Sequence, residues 1–468
     1  VETTSASGMP YHAFDIDVSG ATGGQVSLSY EGSTVDGERL ALKAYNYTEN
    51  QWDTLDVVIG SGILSATVEV ADYAKDGKIR AVAVVDNVGN GSNTMLWSTD
   101  PQHYTVFEDL NAFYEKVYEY IGEEYLAGRA AYAITTGDIV DDSPTSANAE
   151  KQWKIADKAI QLMEKTGMPN GVVTGNHDTG NYPSAIYSLY NKYFGADRYR
   201  SEAWFGGGLN DNASHYDLIT VGNIDFVVLY LGYGVEGTPE TIAWANDVLQ
   251  RYSHRNAILA THQYLKASTG AWDASSRAEV IYNEIVVPNE NVKMLLCGHD
   301  NGAVTLKKQI GDDRVFYEIL SDYQFVELED PDFYGGNEHY IGNVAGCNGD
   351  GYIRSMTFNG NKVETKTFSP VTGGTNPFGI RDEFTITVDF EQNDRVITTK
   401  GFTATLLGDK IADVTAASGS KAETAYDGDA EAWAAVIATD NGSVVTASQK
   451  FETSAAPEKP AEAPEAVD

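Results

Sequence analysis

Three polar motifs lie far apart in this chain, and each stands directly behind an apolar run of strand length: Gly137-Asp138-Ile139-Val140-Asp141, Gly175-Asn176-His177-Asp178 and Gly298-His299. Strand ends hold side chains rigidly, and Asp, Asn and His supply oxygen and nitrogen donors. Brought together, three such ends build a site for two cations about 3.5 to 4 Å apart, the spacing that clamps an attacking and a leaving oxygen. Asp138 is the natural bridge between the ions.

The chain has 468 residues, too many for one core, so about three domains are expected. Its 68 acidic against 32 basic residues give a net charge of -36. Such a chain repels polyanions, which argues against nucleic acid binding and against anionic membranes, and for a solvated protein that is secreted or on the cell surface. Any phosphate-bearing substrate must then be held largely through bound metal. Cys297 ends an apolar strand, where a small buried thiol is expected, and a disulfide to Cys347 stays open. No apolar stretch approaches a transmembrane span. The chain starts at Val1 without Met or a signal peptide, as a trimmed mature form or an expressed fragment would.

Residues 1–92 carry short β-type runs, among them Gln25-Val26-Ser27-Leu28-Ser29-Tyr30, Ala66 to Val70 and Ala81 to Val85, separated by Gly, Asp and Asn turns. They predict a β-sandwich module. Residues 382–455 repeat the style, with Thr385 to Val388 and Trp433 to Ile437 as strands of a second module. Both flanks look immunoglobulin-like or fibronectin-like. Residues 456–468, rich in Pro, Ala and Glu, have too little apolar surface to order, so they predict a disordered linker, a stalk leading to cell-surface attachment beyond the C-terminus.

Residues 93–381 alternate strand and helix in the α/β manner. Strands are legible at Thr94 to Trp97, Ala131 to Ile134, Gly171 to Thr174, Ile224 to Leu229, Ala257 to Ala260 and Val292 to Leu296. Leu110, Phe113, Val117 and Ile121 recur at helical spacing, as do Trp153, Ala156, Ile160 and Met163. Those stripes are core.

In motif order, from Asp100-Pro101-Gln102 through the glycine motifs and the isolated His262 to Gly298-His299, this middle region resembles a calcineurin-like metallophosphoesterase. The stretches Tyr190 to Gly207 and Trp244 to Leu249 look typical of a bacterial extracellular branch. The resemblance implies an αββα sandwich, two divalent metal ions (Zn, Mn or Fe), and a phosphate-ester substrate attacked by a metal-bound hydroxide. It implies that Asp138 bridges the ions, that Asn176, His262 and His299 complete one site, and that Asp100, Gln102 and Asn301 serve the other. It makes His177 the group that stabilises the transition state or protonates the leaving oxygen.

Two departures from the family pattern remove imidazoles from one site. Asp-x-His becomes Asp100-Pro101-Gln102 followed by His103, and Gly-His-x-His becomes Gly298-His299-Asp300-Asn301. Gln102 and Asn301 still offer amide oxygens, His103 or Asp300 can move in, and weaker binding or a harder metal is expected there. Asp141 and Asp178 are expected to orient neighbouring ligands by hydrogen bonds. Tyr182, Trp204, Tyr264 and Trp272 fall in predicted loops and are candidates to line a substrate cleft. His12, His254 and His339 lie outside the motifs and read as surface or loop residues, and His215 as structural.

The expected function is that of a secreted or surface metal-dependent phosphoesterase. No Lys or Arg falls within Asp100 to Glu108, Gly137 to Glu150 or Gly175 to Tyr190 to clamp a dianionic monoester, which points to a phosphodiesterase. The competing expectation is a surface adhesion or glycan-binding protein whose metal domain has decayed to a scaffold. The intact Asp138, Asn176, His177, His262 and His299 favour the enzyme.

Overall fold

The computed structural model describes residues 1–468 except 6–8, 20, 22, 36, 181–183, 326–348, 392–394, 408–431, 441–442 and 453–468, and for 432–452 it describes the backbone alone. Tyr182, His339, Cys347 and the predicted linker 456–468 therefore lie outside the described residues. The chain divides into two compact units, Val88–Glu391 and a unit made of Val1–Asn87 with Gln392–Asp468. No described helix is long and apolar enough to cross a membrane.

In Val88–Glu391, two sheets pack face to face. The first runs Asn170–Val173, Tyr132–Thr136, Thr94–Ser98, Ile353–Asn359, Lys362–Phe368, Phe384–Thr387, with its first three strands parallel. The second runs Phe205–Leu209, Ser214–Val221, Ile224–Leu231, Asn256–Thr261, Val292–Cys297, Arg314–Asp322, Gly302–Ile310. Its strands from Ile224–Leu231 to Arg314–Asp322 are parallel to one another.

Alternation along each strand decides which side chains meet. Met95 and Trp97 face the other sheet, in a core with Ile134, Phe226, Val228, Ile258 and Leu296. Leu96 points outward, into a layer with Tyr114, Val117, Trp153, Ala156 and Ile160 from the helices Asn111–Leu126 and Ala149–Glu164. The outer face of the second sheet is covered by Ala245, Val248 and Leu249 of the helix Pro239–Arg251. That helix starts where Thr238 Oγ1 accepts the N–H of Thr241 (3.2 Å), with Pro239 just inside. The result is the expected αββα sandwich. Its parallel strands deliver their carboxyl ends to one edge, where α/β sheets place their sites.

Two flanking modules are not what forms. The strand Arg395–Leu407 pairs antiparallel with Gln25–Thr34, from Ile397 opposite Thr34 to Leu407 opposite Gln25, and on its other side with Glu2–Ser5. Ser443–Glu452 likewise pairs with Tyr11–Asp17. Both ends of the chain thus build one β-sandwich, whose core joins Phe14, Val26, Leu28, Leu40 and Leu64 to Phe402 and Leu406. Among the described residues the C-terminal flank offers only Arg395–Leu407, Ala432–Asp440 and Ser443–Glu452, and two of these pair with N-terminal strands, which is why modules drawn at 1–92 and 382–455 merge. Thr385 to Val388, read as part of the C-terminal module, instead supplies the edge strand Phe384–Thr387 of the central sheet, paired with Lys362–Phe368. His12, expected at the surface, is fully buried in the sandwich with Nε2 3.0 Å from Thr3 Oγ1 and Nδ1 on Thr399 Oγ1.

Candidate functional site

The loops after the parallel strands bring Asp100, Gln102, Asp138, Asn176, His177, His262, His299 and Asn301 to the same edge. Glycine makes the approach possible. Gly137 takes φ +96°, and a Cβ on Gly175 would stand 2.1 Å from Asp138 Oδ1. Asp100, Asp138 and His299 themselves adopt left-handed backbone, with φ of 51°, 52° and 76°.

His262 is the best-fixed imidazole. Its Nδ1 lies 2.9 Å from the Thr136 carbonyl, which only accepts, so Nδ1 carries the proton and Nε2 presents a lone pair. That Nε2 is 3.0 Å from Asn176 Oδ1, 3.1 Å from His299 Nδ1 and 3.3 Å from Asp138 Oδ1. Donors bound at 2.0–2.1 Å around one tetrahedral cation stand about 3.3 Å apart, so this set fits a transition metal. Asp138, His262 and His299 each place a ligand atom within 4.8 Å of the others.

Electrostatics agree with the geometry. Burial opposes charge on His262, yet the Asp138 and Asp100 carboxylates more than offset it and raise the imidazole to about 10, so a cation binding at Nε2 takes the place of a proton there. The same negative field attracts a cation. Burial also acts against ionised Asp138, but His262, His177 and His299 outweigh it and hold that carboxyl below the usual range. His299 is pushed down to about 4 by burial and by its neighbour His262.

On the other side of Asp138 the donors are all oxygens. Asp100 accepts the backbone N–H of His299 at 3.1 and 3.2 Å, and burial with nearby Asp322 raises it well above the carboxylate norm. Gln102 Nε2 donates to Asp138 Oδ2 (3.3 Å) and Gln324 Oε1 (2.6 Å). Gln102 Oε1 and Asn301 Oδ1 are buried with no hydrogen-bond partner among the described residues. Orphaned buried oxygens call for an explanation, and each is an acceptor of the kind that hard cations take.

His103 and Asp300 do not move into this side. His103 Nε2 lies 4.0 Å from Asp141 Oδ1, while Asp300 accepts the Ala267 N–H (2.6 Å) and faces Lys266 Nζ (3.5 Å). Asp322 and Gln324, which no motif singled out, are buried here instead. Asp322 closes the strand Arg314–Asp322, whose neighbour Val292–Cys297 leads into His299. Burial raises its carboxyl to about 7. The available signal was the run Phe316-Tyr317-Glu318-Ile319-Leu320, apolar but for Glu318, followed by Ser321-Asp322, another strand end with a carboxylate.

His177 sits at the open rim, its side chain 38% exposed against 3% for Asp138. Its Nδ1 is 2.6 Å from the Asp141 carbonyl and 3.3 Å from Asp141 Oδ1, so Nδ1 donates and Nε2 is the free end, 4.0 Å from Asp138 Oδ2. Asp178 accepts the N–H groups of Ile139 (2.8 Å), Val140 (3.0 Å) and Gly175 (2.7 Å), tying two motif loops together.

Three of the proposed cleft aromatics are structural. Trp204 is buried and donates Nε1 to the Asn170 carbonyl (3.1 Å), at the strand end away from Asn176. Tyr264 is fully buried, and its hydroxyl shares Glu318 Oε1 with Trp272 Nε1, at 2.9 and 2.7 Å. Large aromatics with one polar group bury well where that group finds a partner. His215 stacks on Tyr230 at 4.3 Å between ring centres and is buried, as expected.

Comparisons with known proteins bear on the same stretch. The chain is similar to the uncharacterized protein YvnB of Bacillus subtilis (strain 168), 32% identical over 423 residues that make up 86% of this chain and 30% of that protein's length. Among solved structures it is similar to a dimetal phosphatase from Danio rerio, with 13% identity, TM-score 0.40, and coverage of 64% of this chain and 99% of that one. A purple acid phosphatase from yellow lupin seeds gives 9% identity and TM-score 0.40, over 82% of this chain and 74% of that one. The family model described as calcineurin-like phosphoesterase matches residues 98–302, the stretch that holds every motif from Asp100 to Asn301.

Proposed function

We propose that the chain hydrolyses a phosphodiester, as part of a secreted or surface protein, with two divalent cations at the edge of the central unit. One cation would be held by Asp138, Asn176, His262 and His299, the other by Asp138, Asp100, Gln102 and Asn301. Bound there, divalent cations polarise phosphoryl oxygens and lower the pKa of water. The observation that carries the reading is the convergence of Asn176 Oδ1, His299 Nδ1 and Asp138 Oδ1 on His262 Nε2, at 3.0 to 3.3 Å.

The protein's own part lies with His177. Burial disfavours its charged form, but Asp138 and the Asp141 carbonyl outweigh it and raise its pKa above the ordinary imidazole value. With Nδ1–H committed to Asp141, the proton on Nε2 is the one available to a leaving oxygen. Asp141 keeps the ring in that orientation. A diester suits the site because Lys266, four residues past His262, is directed at Asp300. The acidic composition supports an extracellular setting.

The test compares hydrolysis of bis(p-nitrophenyl) phosphate and p-nitrophenyl phosphate by protein reconstituted with Zn or Mn. The diester is expected to turn over faster by about tenfold or more, with activity lost to a chelator and restored by metal. Stoichiometric metal with no hydrolysis of either ester refutes the reading.

A further inference from the structure

We propose that Asp322 and Gln324 are positioning residues that fix Gln102 as an oxygen donor, building an all-oxygen cation site beside the imidazole-bearing one; the proposal rests on the metal-dependent function given above. The argument is one of hydrogen-bond direction. The fully buried Asp322 side chain, in its ionised form, can only accept. It takes the backbone N–H of Gln324 on Oδ1 (2.9 Å) and the side-chain Nε2 of Gln324 on Oδ2 (3.0 Å). With its NH₂ turned to Asp322, Gln324 presents Oε1 to Gln102. Gln102 can answer that acceptor only with Nε2, at 2.6 Å.

The carboxylate thus polarises two amides in series. Reversing Gln102 would set its Oε1 against Gln324 Oε1 and against Asp138 Oδ2, the two acceptors that Nε2 now serves. The end left over is Oε1, buried and unpartnered in a side chain only 2% exposed. The segment that carries the relay is itself anchored. Tyr323, pointing the other way, donates to Asp382 Oδ1 (2.5 Å) and accepts from Arg354 Nη2 (2.5 Å), in a pocket where both charged partners are fully buried. With Asp100, Asp138 and Asn301, the oriented Gln102 makes a donor set of carboxylate and amide oxygens, the chemistry of Mg or Mn rather than of Zn. The relay does for Gln102 what a hydrogen-bonded ring nitrogen does for a ligating imidazole.

The experiment titrates the full chain with Mn²⁺, following free Mn²⁺ by electron paramagnetic resonance, and measures tightly held transition metal separately by elemental analysis. Asp322→Asn keeps the shape but turns an NH₂ toward Gln324, which reverses both amides. It is expected to weaken the oxygen-site Mn²⁺ by about tenfold or more while one tightly held metal per chain remains. Gln324→Leu, which breaks the relay, should do the same. Gln102→His supplies a donor that needs no relay, so in that background both changes should alter Mn²⁺ affinity less than about twofold. Mn²⁺ binding unchanged in Asp322→Asn overturns the proposal. A loss that persists with His at position 102 also overturns it, by making Asp322 a ligand or the damage general; thermal unfolding of each variant separates those two. Wild-type protein that holds no metal refutes the metal-dependent function and this proposal together, whereas intact tight metal with an indifferent relay refutes this proposal alone.

Discussion

On one side of Asp138, the His262 imidazole is set by a main-chain group, with Nδ1 donating to the Thr136 carbonyl, and its backbone is tied to the next motif where Gly298 N–H donates to the His262 carbonyl at 2.9 Å. On the other side, Gln102 is oriented by side chains, Gln324 and behind it Asp322. Main-chain partners are present whatever the neighbouring residues are. Side-chain partners can be lost by a single substitution. The imidazole side is therefore expected to be the robust, tight half of the centre, and the oxygen side the tunable one.

The strongest way to break that contrast is His299→Ala. It removes one imidazole donor from the tight set while keeping the backbone N–H that Asp100 accepts, so metal and hydrolysis should fall together, the latter by about 10³-fold or more. Elemental analysis beside turnover decides it; two retained metals would mean the halves are not ranked as described. His177→Ala should separate chemistry from binding, keeping metal while turnover drops by about 10²-fold, more with poor leaving groups than with good ones. Unchanged rates on poor leaving groups would remove the acid role, and lost metal would make His177 a ligand. Asn301→Ala tests the tunable half, with Mn²⁺ affinity reduced by about tenfold and activity recovered at higher Mn²⁺. No recovery would show that Asn301 does more than hold a cation.

The smallest effect lies in the β-sandwich, and it sharpens the others by isolating acid unfolding from acid effects on the centre. Burial lowers His12 from 6.5 to about 3, so below pH 6.5 the unfolded chain takes a proton that the folded one refuses. Stability contributed by neutral His12 is full above pH 6.5 and is lost as pH falls toward 3, about 2 kcal/mol by pH 5. His12→Asn should flatten that slope in thermal unfolding across pH 5 to 7.

The same contrast explains what could be read from residues alone. Asp138, Asn176 and His299 announce themselves because each follows a glycine at the end of a short apolar strand, a local pattern, whereas His262 without such a glycine came in through the family resemblance. Asp322 follows such a strand too, yet without a flanking glycine it carried no mark, and its link to Gln102 spans 222 residues to Gln324. The β-sandwich failed in a related way: its strands were legible, but the pairing of Ile397 with Thr34 is not a property of either segment. Trp204, Tyr264 and Trp272 were misplaced because a loop position says nothing about which way a ring turns, and each found a buried acceptor.

Asp100, Asp138 and His299 all hold left-handed backbone without being glycine. Each such residue costs on the order of 1 kcal/mol that glycine would not. A chain released from any use for this edge would gain stability by drifting to glycine or asparagine at all three positions, so a disused scaffold and a working one differ in a way that folding free energy alone can report. Replacing Asp100 by Gly would relax the backbone while removing the carboxylate. Two carboxylates and an imidazole thus stand at positions whose backbone glycine would hold with less strain.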